Sequence, residues 1–150
     1  MQPGCNIYQR ARNIRGLTQE RAAEALGISV RSLADYEAGV RFPPDKVATL
    51  MVDIYDSQLL AVQHLRQSAA LAYGVIPDVP ELCLSQAALN LIDTVYAFAD
   101  NKLDRELINI CRDGVISQEE QPRFDHIMEQ LSEITSAAMA LLCSHRDRRD

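Results

Sequence analysis

The sequence predicts an all-α protein, with five short helices in its first half and a smaller helical region behind them. Three observations carry that expectation. Apolar residues recur at three- and four-residue spacing, and no useful stretch alternates apolar with polar as a half-buried strand does. Gly, Ser, Thr and Pro stand where such helices start and stop. The chain is 47% apolar but only 5% aromatic with no Trp, and an Ala- and Leu-rich composition favours packed helices over sheet sandwiches.

The elements follow in order. Ile7 to Arg15 places Ile7, Ala11 and Ile14 at helical spacing, and Gly16 closes the helix. Thr18 caps a second helix that turns Ala22, Ala23 and Leu26 inward and stops at Gly27; Arg21 stands where a full capping box has Glu. Ser29 caps a third, Val30 to Ala38, with Leu33 and Tyr36 inside and Gly39 at its end. Pro43-Pro44 opens a fourth, with Pro44 at the first helical position, where no N–H is needed, and an apolar stripe of Val47, Leu50, Met51 and Ile54. Asp56 or Ser57 caps a fifth, containing Leu59, Leu60, Val62 and Leu65.

Two prolines and a glycine between Gly74 and Glu81 exclude a continuous helix there and mark a linker. Beyond it, a helix from Ser85 shares Ala88, Leu91, Ile92, Val95 and Tyr96 on one face. A shorter piece, Leu103 to Cys111, precedes a turn at Arg112-Asp113-Gly114. Ser117 and Glu120 form a capping box for a last helix, Ser117 to Leu142, carrying Phe124, Ile127, Met128, Leu131, Ile134, Ala138 and Leu141. The expected division is thus 1–73, a linker 74–84, a helical region 85–145 and a charged tail 146–150.

Charge is unevenly placed. Residues 1–50 carry +2 and residues 51–150 carry −8. A mildly basic front end can hold nucleic acid through a local patch even when the whole chain is acidic. No apolar run approaches the ~20 residues of a membrane span, and Met1 to Cys5 lack the pattern of a secretory signal, so a cytoplasmic protein is expected. Cys5, Cys83, Cys111 and Cys143 are widely spaced and read as reduced thiols rather than a disulfide framework or a zinc site. His64, His126 and His145 lie on separate elements, so no nucleophile with a positioned base can be assembled. Neither an enzyme nor a bound cofactor is expected.

The run Gly16-Leu17-Thr18-Gln19-Glu20-Arg21-Ala22-Ala23-Glu24-Ala25-Leu26-Gly27-Ile28-Ser29-Val30-Arg31-Ser32-Leu33-Ala34-Asp35-Tyr36-Glu37-Ala38-Gly39 resembles the Cro/phage-repressor helix-turn-helix family, also called XRE. The resemblance covers about residues 6–70 and implies a five-helix, lambda-repressor-like domain binding double-stranded DNA. Ala23 allows close helix packing and Gly27 permits the turn, so the following helix meets the major groove with its N-terminal half. In that frame Ser29, Val30, Arg31, Ala34 and Asp35 are the base-reading candidates. Arg31 can hold O6 and N7 of a guanine, Val30 can touch a thymine methyl, and Asp35 can accept from a cytosine or orient Arg31. Gln19 stands where the family commonly holds a phosphate, and Ser32, Arg41, Arg10 and Lys46 are further phosphate candidates. Glu37 reads as a residue paired inside the domain, since a carboxylate beside phosphates is repelled. Arg10, Arg12 and Arg15 read equally well as a solvated face.

Behind the linker, Asn109, Cys111, Asp113, Gly114, Ser117 and Glu120 resemble the spacing of a calcium loop, but only two of the ligands would be carboxylates and Cys111 is soft. A turn followed by a helix cap is the preferred reading. Some phage repressors end in a self-cleaving Ser–Lys domain; with Lys46 and Lys102 as the only lysines and a helical pattern throughout, this chain does not match one. Surplus apolar surface on the last helix, at Met128, Leu131, Ile134 and Met139, suits a symmetric homodimer. The sequence thus reads as a repressor binding a palindromic operator as a dimer. Its rival is an antitoxin-like or bridging protein whose acidic helical region grips a protein partner.

Overall fold

The computed structural model describes residues 6–146, and all regular elements among them are helical. Two compact units divide the chain, one ending at Ile76 and the other spanning Pro77–His145. No helix among the described residues is long and apolar enough to cross a membrane.

The first unit contains α1 (Ile7–Ile14), α2 (Gln19–Leu26), α3 (Val30–Glu37), α4 (Asp45–Tyr55), α5 (Gln58–Ser68) and a single turn, α6 (Ala70–Tyr73). Its ends are set by the expected side chains. Thr18 Oγ1 accepts the Arg21 N–H, Ser29 Oγ accepts the Ser32 N–H, and Ser57 rather than Asp56 caps α5 through the Leu60 N–H. Asp56 instead ends α4 in the left-handed region, at φ 54°. Pro44 is the cap of α4 and not its first residue, a shift of one position. Asn6 caps α1 by accepting from the Tyr8 and Gln9 N–H groups, and its amide donates to the Tyr36 carbonyl. That bond ties the start of the first helix to the end of the third.

Tyr8, Ala11, Ala22, Ala23, Leu26, Leu33, Tyr36, Met51, Tyr55 and Leu60 form one core. The first helix is therefore rotated from the Ile7/Ala11/Ile14 stripe: Ile14 is 68% exposed, while Tyr8, Ala11 and Arg12 are buried. The reason is that the inward face includes a charge, so an apolar-only pattern selected the wrong neighbours. In α4 the inner set is Ala48, Met51 and Tyr55, and Leu50 turns outward. In α5 the inward position after Leu60 belongs to His64, and Leu65 is exposed. His64 Nδ1 lies 2.8 Å from the Tyr8 hydroxyl, and its Nε2 lies 3.4 Å from the Asp45 carboxylate. Burial pushes the Tyr8 hydroxyl up to about 12. The Tyr55 hydroxyl is also pushed up to about 12, by burial and then by the Glu37 carboxylate, and it is buried with no hydrogen-bond partner.

The second unit contains α7 (Leu84–Asp100), α8 (Leu103–Ile110) and α9 (Gln121–Arg146). Part of the expected linker is fixed within it. Val79 is buried, and the Ser136 hydroxyl on α9 donates to the Asp78 carbonyl. Leu103, Ile110 and Ile127 form a small core, with Phe98, Leu107, Ile116, Phe124 and Leu131 packed against it. α8 runs into a 3-10 turn, Cys111–Asp113, closed by Gly114 at φ 77°.

α9 begins at Gln121, four residues after its expected start. The Ser117–Glu120 box does form: the Ser117 N–H and hydroxyl donate to the Glu120 carboxylate, and the Glu120 N–H donates to Ser117 Oγ. Those bonds hold the Glu120 carboxyl below the usual carboxylate range. Pro122, however, has no N–H to offer, so regular helical bonding resumes only at Phe124, which donates to the Glu120 carbonyl. The Asp113 carboxylate accepts the Val115 N–H, which is the geometry of the turn-and-cap reading. Asn109 lies within α8. Among the described residues, no cluster of His, Cys, Asp or Glu is arranged to hold a metal ion.

α7 departs most from expectation. Its covered side runs through Leu84, Ala87, Leu91, Thr94 and Phe98. Of the predicted face, Ala88 and Leu91 are half-buried, but Ile92, Val95 and Tyr96 are exposed. Cys83, not Ser85, precedes its first residue. On α9, Leu131 packs on the core of its own unit, Ile134 and Met139 are half-buried, and Met128 is 37% exposed. Cys83 and Cys111 are exposed free thiols and Cys143 is buried. Cys5 and residues 147–150, most of the expected charged tail, lie outside the described residues.

Candidate nucleic-acid interface

α2 and α3 pack closely because the residues between them are small. Ala22 and Ala23 are essentially inaccessible, and Leu33 fills the space opposite them. Gly27 takes φ 66°, a conformation that costs a side-chain-bearing residue, and the Ile28 N–H closes the turn on the Ala23 carbonyl at 3.0 Å. The turn aims α3 so that Leu33, Tyr36 and Glu37 face in while Ser29, Val30 and Arg31 stand exposed.

Each candidate base reader has a distinct setting. Arg31 is exposed and has no ion pair among the described residues. Val30 is 40% exposed, leaving a methyl face for a partner. The Ser29 hydroxyl is occupied: it accepts the Ser32 N–H and donates to Ser32 Oγ at 2.9 Å. Ser32 therefore keeps its own hydroxyl proton available to an outside acceptor. Ala34 and Asp35 are half-buried. Asp35 pairs with Arg41 across 3.7 Å rather than with Arg31, four residues earlier. The Arg41 guanidinium also sits 4.9 Å above the Tyr36 ring, so the loop after α3 holds this cation at the edge of that helix.

A buried charge network sits beneath that edge. Arg12 Nε donates to Glu37 Oε1 at 2.6 Å and Arg12 Nη2 to Oε2 at 2.9 Å, a two-pronged pair with both residues buried. Arg12 Nη1 donates to the Leu17 carbonyl at 2.7 Å, and the Gln19 amide donates to Glu37 Oε2 at 2.8 Å. Glu37 is thus the internally paired residue the sequence suggested, and its partner is Arg12. Arg12 is not part of a solvated face. Gln19, the first residue of α2, has one amide hydrogen on Glu37, which leaves its second hydrogen to point elsewhere.

The remaining phosphate candidates are dispersed. Arg10 is exposed on α1, and Lys46 is exposed in the first turn of α4. The structure gathers Ser29 to Ser32, Asp35 and Arg41 at one edge, with Gln19 joined to that edge through Glu37. Tyr36 and Arg12 were not among the sequence candidates, yet they position Arg41 and Gln19 respectively. The available signal was the acid at Glu37, which requires a cation in any buried setting.

Comparison with protein families matches residues 9–60 to the helix-turn-helix family. Comparison with curated proteins and with solved structures returned no match. The matched segment runs from α1 into the first turn of α5 and contains the whole α2–turn–α3 geometry. Residues 9–60 therefore form a helix-turn-helix domain, built around the α2–turn–α3 pair, which suggests a DNA-binding transcriptional regulator.

Proposed function

We propose that this protein is a sequence-specific repressor that binds a roughly palindromic operator as a dimer. The observation that carries the reading is the exposed N-terminal half of α3, held rigidly from below by Leu33, Tyr36 and the Arg12–Glu37 pair. Arg31 reads a guanine edge, Val30 contacts a thymine methyl, and Asp35 contributes beside them. Ala34 allows the groove wall to approach. Ser29 serves mainly as the cap of the reading helix. Gln19, Ser32 and Arg41 hold phosphates on either side, while Arg10 and Lys46 add weaker contacts from α1 and α4. No catalytic role is assigned to any residue.

The charge balance favours two copies. Residues 6–76 hold eight Lys/Arg against seven Asp/Glu, so a single domain neutralises few phosphates and binds weakly alone. Two linked domains on two half-sites recover affinity through effective concentration. The second reading, a bridging or antitoxin-like protein, is favoured by one feature: residues 77–145 carry four Lys/Arg against twelve Asp/Glu, a surface suited to a basic partner.

Paired substitutions test the DNA reading by fluorescence anisotropy on selected and random duplexes. Arg31→Ala weakens the selected duplex by ~1–3 kcal/mol and relaxes sequence preference. Arg41→Ala weakens all duplexes alike and reduces the salt slope by about one. Unchanged specific affinity in Arg31→Ala contradicts the assignment.

A further inference from the structure

Residues 77–145 carry twelve Asp/Glu and only four Lys/Arg, so an even spread would leave every cation beside several acids. Instead, Lys102, Arg105 and Arg123, three of the four, line one cavity of about 380 Å³ shared by α8 and the first turn of α9. Spacing explains the gathering on α8. Lys102 is its cap, and Arg105, Glu106 and Asn109 follow at the three- and four-residue steps that share one helix face. Arg123 arrives from α9, whose start is fixed by the Ser117–Glu120 bonds.

Two carboxylates also line the cavity, and each has a partner. Glu106 pairs with Arg123 at 3.5 Å, and Glu120 accepts the Ser117 N–H and hydroxyl. The side chains of Lys102 and Arg105 make no hydrogen bond or ion pair among the described residues. Three cations against two carboxylates give the cavity wall +1, inside a unit of −8. That contrast sets the size of the ligand. Attraction to these cations is screened beyond the ~8 Å Debye length of physiological salt. A duplex or an acidic protein would extend past it onto acidic surface and be repelled. A small anion stays within the positive region, and ~300–1,000 Å³ is an ordinary volume for a small-molecule site. An ammonium and a guanidinium fork one helical turn apart suit a group with several charged oxygens, a phosphate. The Asn109 amide and the Glu106 carboxylate beside them suit hydroxyl groups.

We infer that this cavity binds a small phosphate monoester, with its phosphate on Lys102 and Arg105 and its hydroxyl groups on Asn109 and Glu106. Arg123, tethered by Glu106, adds a third positive charge to the wall. The site does not depend on the DNA reading and stands or falls without it.

Amide chemical shifts of the full chain test it, followed at constant ionic strength against inorganic phosphate, glycerol 3-phosphate, glycerol and sodium chloride. Both phosphates shift residues 101–110 and 120–123 saturably, glycerol 3-phosphate at the lower concentration, while glycerol and chloride do not. Lys102→Asn and Arg105→Gln each weaken that binding at least ~10-fold, the worth of one charge-assisted hydrogen bond. Asn suits the left-handed backbone at Lys102, φ 57°, and Arg105 is exposed, so both variants keep the wild-type melting curve. Arg112→Gln removes the unit's fourth cation, which does not line the cavity, and leaves the affinity unchanged. Absence of a saturable shift with either phosphate, an equal response to chloride, or equal loss in Arg112→Gln overturns the inference. So does a random-sequence duplex that Lys102→Asn binds more weakly while neither phosphate moves the cavity residues, since these cations would then be a nucleic-acid contact.

Discussion

The two units of this chain meet the same problem, a small apolar core, in opposite ways. The first closes on itself. Four of its helices, α1, α2, α3 and α5, begin at side-chain caps, its core joins all five principal helices, and its buried Arg12–Glu37 pair has hydrogen-bond partners on both sides. Its exposed apolar residues, Ile14, Val40, Phe42, Leu65 and Leu71 among them, are spread over several helices and loops, and the N-terminal half of α3 stands exposed beside them. The second packs Leu103, Ile110 and Ile127 into one core cluster, carries a net charge of −8, and leaves Leu89, Ile92, Val95 and Tyr96 of α7 exposed. A unit that is self-sufficient can afford an exposed functional surface of charges and hydroxyls. A unit with surplus apolar surface gains stability from association.

The largest expected effect probes the first unit. Glu37→Ala leaves the Arg12 guanidinium buried without its carboxylate and costs about 3–5 kcal/mol by denaturant melt. Replacing Arg12 and Glu37 together by Met and Leu recovers most of that loss. If the single and double variants are equally damaged, the pair is not what closes this unit.

Ile127→Ala makes the corresponding cut in the second unit, where Ile127 is fully buried. It costs about 2–4 kcal/mol. Hydrogen exchange then shows protection falling in residues 77–145 while residues 6–76 keep theirs. Equal loss in both would mean that the units fold as one.

Alkaline pH separates them by a smaller margin. Tyr8 and Tyr55 have an ordinary value of 10.0 raised to about 12 in the folded state. Their contribution is therefore intact below pH 10 and is lost as pH rises towards 12. Tyr96, the only tyrosine of residues 77–145, is exposed, so the tyrosine-dependent loss over that window falls on the first unit. Loss of protection in the second unit first would contradict this. The smallest effect is at Tyr55, whose hydroxyl has no partner. Tyr55→Phe is neutral or stabilises by up to ~1 kcal/mol, because nothing is left unpaired by removing it.

Legibility in the sequence also differs between the units. The helix order of the first, its caps at Thr18 and Ser29, its turn at Gly27 and the inward set Ala22, Ala23, Leu26, Leu33 and Tyr36 follow from residue types that act locally. The bounds of α3 could be placed for the same reason. The burial of Arg12 and the outward turn of Ile14 could not, because they depend on Glu37, twenty-five residues away. In α7 both faces are apolar, so periodicity marked a helix but could not say which side its neighbours would cover. The pairing of Asp35 with Arg41 instead of Arg31 likewise depends on where the loop after α3 returns.

The most direct test of the central claim is selection of bound DNA from a random duplex library, using the full chain at low and moderate salt. A dimer reading through α3 enriches an inverted repeat with half-sites about one helical turn apart. Failure to enrich any sequence, even at low salt, contradicts the account.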